Sequence, residues 1–202
     1  MIDPNEITGS ILCGGAGARF GNRDKPLEHL GGSPLVAHVR QRLLPQVGRI
    51  VISCNRNHET YRRWGDTTVK DERPGQGPLA GILACLDVAD TEYLFVCPGD
   101  APFLPTTLVE RLTGALRRDG ADIAIPHDGI RRQHLFMLLR RSLLPALRDY
   151  LAAGGLSVHA FVDSVRHVVV DCADEAGGFV NVNSPADLLA ANASQGRAQR
   201  SR

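Results

Sequence analysis

The 202-residue chain lacks any stretch of about 20 consecutive apolar residues, the length a helix needs to cross a bilayer. Its first residues, Met1 to Glu6, lack a basic region followed by an apolar run, so no signal peptide is expected. The chain reads as cytoplasmic, with no membrane partner. A dominant charge sign is missing as well: 23 Lys and Arg stand against 22 Asp and Glu, a net charge of +1. No global field draws such a chain to nucleic acid, and no nucleic-acid partner is expected. The five cysteines, Cys13, Cys54, Cys85, Cys97 and Cys172, include no C-x-x-C pair, and four lie in or beside apolar runs. That usage suits reduced, core-packed thiols rather than a disulfide framework. The seven histidines lack zinc-ligand spacing, and no repeat or linker divides the sequence.

Short apolar runs alternate with helix-like segments. Strands are expected at 7–13, 49–54 and 93–97, and more loosely at 123–126, 136–140 and 165–170. Runs apolar at successive positions suit strands covered on both faces, as in a parallel sheet. Ser33-Pro34 reads as a cap followed by a first-turn proline, opening a helix through Leu44. Pro78 and Pro105 open helices over 79–88 and 106–118, and two more are expected over 143–153 and 185–192. This rhythm predicts a three-layer, doubly wound α/β fold with a mostly parallel sheet and a Rossmann-like nucleotide-binding half. One domain is expected over 1–193, with a polar, basic, disordered tail over 194–202.

The densest segment is Leu12 to Lys25, which begins at the C-terminal end of the first strand, the edge where open α/β sheets bind ligands. Gly14, Gly15, Gly17 and Gly21 allow tight turns and let backbone N–H groups approach an anion. Arg19 and Lys25 add a planar fork and a point charge suited to a triphosphate. A dinucleotide fingerprint is excluded because the glycine after Gly15-Ala16-Gly17 comes one residue late, at Gly21. A P-loop is excluded because Pro26, not Ser or Thr, follows Lys25.

What remains, L-x-G-G-x-x-x-R-x-G-x-x-x-K, resembles the nucleotidyltransferase superfamily. Within it, Gly14-Gly15 and Asp24-Lys25-Pro26-Leu27 look most like the molybdenum cofactor guanylyltransferases. Ser53-Cys54-Asn55-Arg56, Gly77-Pro78-Leu79-Ala80-Gly81, Pro98 to Phe103, and Phe179 to Pro185 are similar to later family elements, in order. The resemblance spans residues 8 to about 190. It implies an enzyme that moves GMP from GTP to molybdopterin with Mg²⁺, releases pyrophosphate, and makes transient contact with molybdenum cofactor biosynthesis or acceptor proteins.

Such chemistry needs charge neutralised and the attack aligned. Asp100 is the expected metal ligand, a hard acceptor-only group, with Asn183 as a second ligand or equally a helix cap. Lys25 and Arg19 are expected on the phosphates. The backbone of Leu12, Cys13, Gly14 and Gly15, with Asp71 and Ser53, is expected to read guanine and ribose. A carboxylate accepts two hydrogen bonds from guanine's N1–H and N2–H₂ edge, a pair cytosine lacks. Arg131, Arg132, Arg140 and Arg141 are candidates for the pterin phosphate.

The sequence also departs from the family. Cys13 stands where Ala is usual, Ser53 where Asn is common, Gly99 where Cys is frequent, and Leu156-Ser157 where Arg tends to follow a Gly pair. Two other readings remain at this point. One is a cytidylyltransferase using CTP on molybdopterin or a small alcohol phosphate. The other is a non-catalytic carrier or docking protein of the same fold.

Overall fold

A strand apolar at every position must be covered on both faces, and the sheet is arranged to do this. A computed structural model describes residues 2–14, 24–71 and 77–200, with side chains through Ala193. Its strands are β1 (Ile7–Leu12), β2 (His29–Leu30), β3 (Ser33–Pro34), β4 (Arg49–Ser53), β5 (Thr67–Val69), β6 (Tyr93–Pro98), β7 (Ile123–His127), β8 (Met137–Arg140) and β9 (His167–Asp171). The α-helices are α1 (Leu35–Leu43), α2 (His58–Tyr61), α3 (Pro78–Val88), α4 (Leu108–Asp119), α5 (Leu144–Ala152), α6 (Val158–Asp163) and α7 (Pro185–Arg200).

The main sheet has seven strands in the order β5-β4-β1-β6-β8-β7-β9. Six run in one direction and β8 is reversed, pairing antiparallel with both β6 and β7. The reason is connection length. Residues 128–136 are too few for the crossover of a dozen or more residues that a parallel return needs. Side chains alternate between the two faces. Phe95 and Cys97 of β6 join Val36, Val39, Leu108 and Leu112 of α1 and α4 in one buried cluster. Leu94 and Val96 join Leu79, Ile82, Leu147 and Phe161 of α3, α5 and α6 in the other. The period of two along a strand thus yields a helix–sheet–helix sandwich, the three-layer α/β fold expected.

Local differences have local causes. Ser33 does not cap α1. Gly31 and Gly32, at φ 58° and 89°, form a two-residue turn that pairs Leu30 with Ser33. Pro34 then takes the N-cap position, one residue later than expected. The last helix, expected over 185–192, runs on to Arg200.

For the site, the strand order matters most. The chain steps outward from β1 through β4 to β5, then returns to the other side of β1 as β6. This reversal is a topological switch point, and in such sheets ligands bind in the crevice outside the C-terminal strand ends beside it, here those of β1, β4 and β6.

Candidate active site

The three strand ends are tied together by backbone. Cys13 N–H donates to the Ser53 carbonyl at 2.8 Å, and Gly99 N–H to the Leu12 carbonyl at 2.9 Å. Gly99 is required by close approach: a Cβ there would sit 2.6 Å from Cys13 Sγ and 3.2 Å from Pro26. Cys13 and Gly99, both named in the sequence as departures from the resembled pattern, therefore meet across one contact. Burial, and then Asp24, push the Cys13 thiol well above its ordinary pKa. It is a neutral packing group, not a reactive thiolate.

At one end of the crevice, Lys25 opens a short 3₁₀ turn over 25–27. Its Nζ donates to Asp100 Oδ2 at 2.6 Å and to Asn183 Oδ1 at 2.9 Å. Asp100 follows β6 and is only 8% exposed. Its other oxygen, Oδ1, is buried with no hydrogen-bond partner among the described residues, as is Asn181 Oδ1. Val182 N–H donates to the Asp100 carbonyl at 2.9 Å and holds the 181–183 segment against it. The two roles open for Asn183 separate here. Ser184 Oγ accepts from Asp187 N–H at 3.2 Å and so caps α7, leaving the Asn183 amide turned to Lys25.

At the other end, Asp71 follows β5. Ser53 Oγ donates to its Oδ1 at 3.1 Å and Asn55 Nδ2 to its Oδ2 at 2.9 Å. Asp71 N–H donates in return to Asn55 Oδ1 at 3.1 Å. Gly14 lies beside the pair, a Cβ there falling 3.8 Å from Asn55 Nδ2. Gly81 of α3 leaves the room for it, since a Cβ would lie 2.7 Å from Ser53 Oγ.

Of the residues expected at the site, Leu12, Cys13, Gly14, Lys25, Ser53, Asp71, Asp100 and Asn183 thus gather at one strand-end edge, in two groups. Gly15 and Arg19 lie outside the described residues. The arginines divide. Arg131 and Arg132 belong to the 128–136 connection, on the same edge as Asp100. Arg140 and Arg141 do not: Arg140 pairs with Tyr93 at the start of β6, on the opposite edge. There Arg140 donates to Glu92 at 2.7 Å and lies over the Tyr93 ring. The reversal of β8 carries them away from the acceptor side. Arg132, for its part, is bound to Asp163 at 3.1 Å.

Sequence reasoning missed Asn55 as a site residue, although it stood in a quoted motif. It also missed Asp24, whose carboxylate is 6% exposed. Tyr61 OH and Asn57 Nδ2 each donate to it at 2.8 Å, and Arg56 Nε lies 3.6 Å away. Nothing in the spacing of Asp24 and Tyr61 signals that contact.

Three comparisons place the chain among known proteins. The family model described as the MobA-like NTP transferase domain matches residues 9–168. A molybdenum cofactor guanylyltransferase from Cupriavidus necator is 42% identical over 194 residues, 93% of this chain and 97% of the relative. One of the same name from Shewanella halifaxensis is 38% identical over 181 residues, 89% and 90% of the two chains. Among solved structures, molybdopterin-guanine dinucleotide biosynthesis protein A from Archaeoglobus fulgidus superposes with a TM-score of 0.78 at 23% identity, covering 94% and 99%. At that identity the likeness speaks for the fold.

Proposed function

The chain belongs to the MobA-like NTP transferase domain family, and from that premise we propose that it transfers GMP from GTP to molybdopterin, forming molybdopterin guanine dinucleotide and releasing pyrophosphate. The observation that carries the reading is one crevice with an acceptor-only carboxylate, Asp71, at one end and the Lys25–Asp100–Asn183 group at the other. The first suits the donor edge of guanine, and the second suits a triphosphate. The near full-length relatives named molybdenum cofactor guanylyltransferase support the same reaction.

A divalent cation, Mg²⁺, serves the reaction. The residues fit one: Asp100 Oδ1 is a hard, anionic oxygen, buried and unpartnered among the described residues, and the amide oxygen of Asn183 accepts from the same Lys25 as the other Asp100 oxygen. Among the described residues no cluster of three or more His, Cys, Asp and Glu forms a metal cage. That suits Mg²⁺, which keeps waters and takes substrate phosphate oxygens beside one or two protein ligands. When bound, the cation neutralises triphosphate charge.

The protein's own groups do the rest. Lys25, paired with Asp100 in the free chain, turns its ammonium to the phosphates and offsets charge building on the leaving pyrophosphate. Arg19 assists it, and the backbone of Leu12, Cys13, Gly14 and Gly15 lies along the nucleotide. Asp71, with Ser53, accepts from the guanine edge. Arg131 and Arg132 flank the pterin phosphate. The protein works in the cytoplasm, handing product to biosynthesis or acceptor proteins; no described helix is long and apolar enough to cross a membrane.

Mass spectrometry of the products from molybdopterin, Mg²⁺ and an equimolar GTP and CTP mixture tests the reading. A guanine dinucleotide with pyrophosphate is the expected result. A cytosine dinucleotide, or no product with either, overturns it.

A further inference from the structure

The turn after β4 touches both ends of the crevice. Asn55 grips Asp71 with two hydrogen bonds, one through each end of its amide. Two residues later Asn57 sits at φ 56°, ψ 32°, and among the described residues it is the single non-glycine at positive φ. Asn tolerates that left-handed conformation better than most residues, and held strain of this kind clusters where geometry matters. Its side chain reaches Asp24 at 2.8 Å, and four residues on, the Tyr61 hydroxyl reaches the other oxygen of the same carboxylate. Tyr61 itself is fully buried in the core, so its hydroxyl is a fixed point. Asp24 is the residue before Lys25.

From this we infer that the segment from Asn55 to Tyr61 is a brace for the whole nucleotide site: Asn55 positions Asp71 for the base, while Asn57 and Tyr61 position Asp24, and through it Lys25, for the phosphates. A buried carboxylate held by several donors has little freedom to rotate. The backbone leading into Lys25 is correspondingly fixed. Burial and the nearby Cys13 and Asp24 push the Tyr61 phenol far above its ordinary pKa, so it remains a donor throughout the working range. None of these three side chains touches a reacting atom, so all are positioning residues. The inference rests on the reading of GTP as donor, and it adds that base recognition and phosphate handling lean on one short turn through separate contacts.

Separate contacts predict separate kinetic signatures. With saturating molybdopterin and Mg²⁺, Asn55→Ala frees Asp71. It is expected to raise KM for GTP roughly tenfold, the scale of one strong hydrogen bond, with kcat within about twofold. The preference for GTP over ITP, which lacks the 2-amino group, should shrink as well. Tyr61→Phe is expected to do the reverse: kcat falls roughly fivefold to tenfold, while KM for GTP and the GTP-over-ITP preference hold. Asn57→Gly keeps the left-handed turn and removes only the amide, and it should follow Tyr61→Phe in kind. Should Tyr61→Phe unfold, Asn57→Gly alone reads the phosphate arm. Thermal unfolding midpoints separate these effects from general loosening. Equal losses in the same parameter for both arms, or lower midpoints with unchanged kinetics, overturn the brace. A wild-type enzyme that turns over CTP rather than GTP overturns the donor reading instead, leaving the kcat signature of Tyr61→Phe to be read with CTP.

Discussion

Where the base is proposed to sit, both oxygens of Asp71 already accept hydrogen bonds from the protein; where the phosphates are proposed to sit, Asp100 shares one oxygen with Lys25 and buries the other without a partner among the described residues. The contrast teaches what each end does before a ligand arrives. Asp71 is oriented in advance and still has lone pairs to offer, as a reader of a neutral base edge should. Asp100 is left incomplete at a cost of about 1–3 kcal/mol for an unsatisfied buried group, more when it is charged. A cation held there, as proposed above, would remove that cost.

The comparison breaks most sharply at Asp100. Asp100→Ala removes the anionic oxygen on which the metal proposal depends, and turnover should fall about a thousandfold or more, read as pyrophosphate release. The fold should stay, since an orphaned group goes with the side chain, and the melting midpoint should move by only a few degrees. Wild-type turnover in this variant would remove Asp100 from the metal site. Lys25→Ala comes next, with kcat/KM lower by roughly a hundredfold, the scale of one preorganised charge donor. Its effect should appear mainly in kcat. A loss confined to KM would mean that Lys25 only helps GTP bind.

At the base end the expected effect is smaller and of another kind. Asp71→Asn turns an acceptor-only group into one that carries an NH₂, which must face either Ser53 and Asn55 or the guanine donors. KM for GTP should rise about tenfold to thirtyfold with kcat nearly unchanged. If Asp71→Asn instead lowered kcat as far as Lys25→Ala, the two ends would not divide the work as their geometry suggests.

Much of this was legible in the chain because the signals were local. Strand ends and the place of Asp100 after β6 follow from short apolar runs and their punctuation. What stayed hidden depends on contacts far apart in sequence. The reversal of β8 follows from a connection length that is visible only once both strand ends are known. That reversal puts Arg140 and Arg141 on the sheet edge opposite Asp100. The α2 turn is four residues long and has no periodicity to display, yet it holds Asp24 across 37 positions. Ser33 illustrates the competing local signal: its cap pattern lost to a Gly31-Gly32 hairpin turn.

The smallest expected effect sharpens the packing between the two ends. Cys13 and Gly99 share one contact: a Cβ on Gly99 would fall 2.6 Å from Cys13 Sγ. Gly99→Ala alone forces that overlap and should destabilise by about 1–3 kcal/mol. Cys13→Ala alone removes one buried sulfur and should cost about 1 kcal/mol, with activity nearly unchanged, because the thiol is neutral and packs rather than reacts. Together they should cost less than the sum, since the new methyl enters the space the sulfur left. A coupling of at least about 0.5 kcal/mol in urea unfolding is the expected sign. Pro26 Cβ and Cγ lie 3.2 Å from the same point, so the recovery should be partial. Strict additivity would show that Pro26, not Cys13, sets the limit at Gly99.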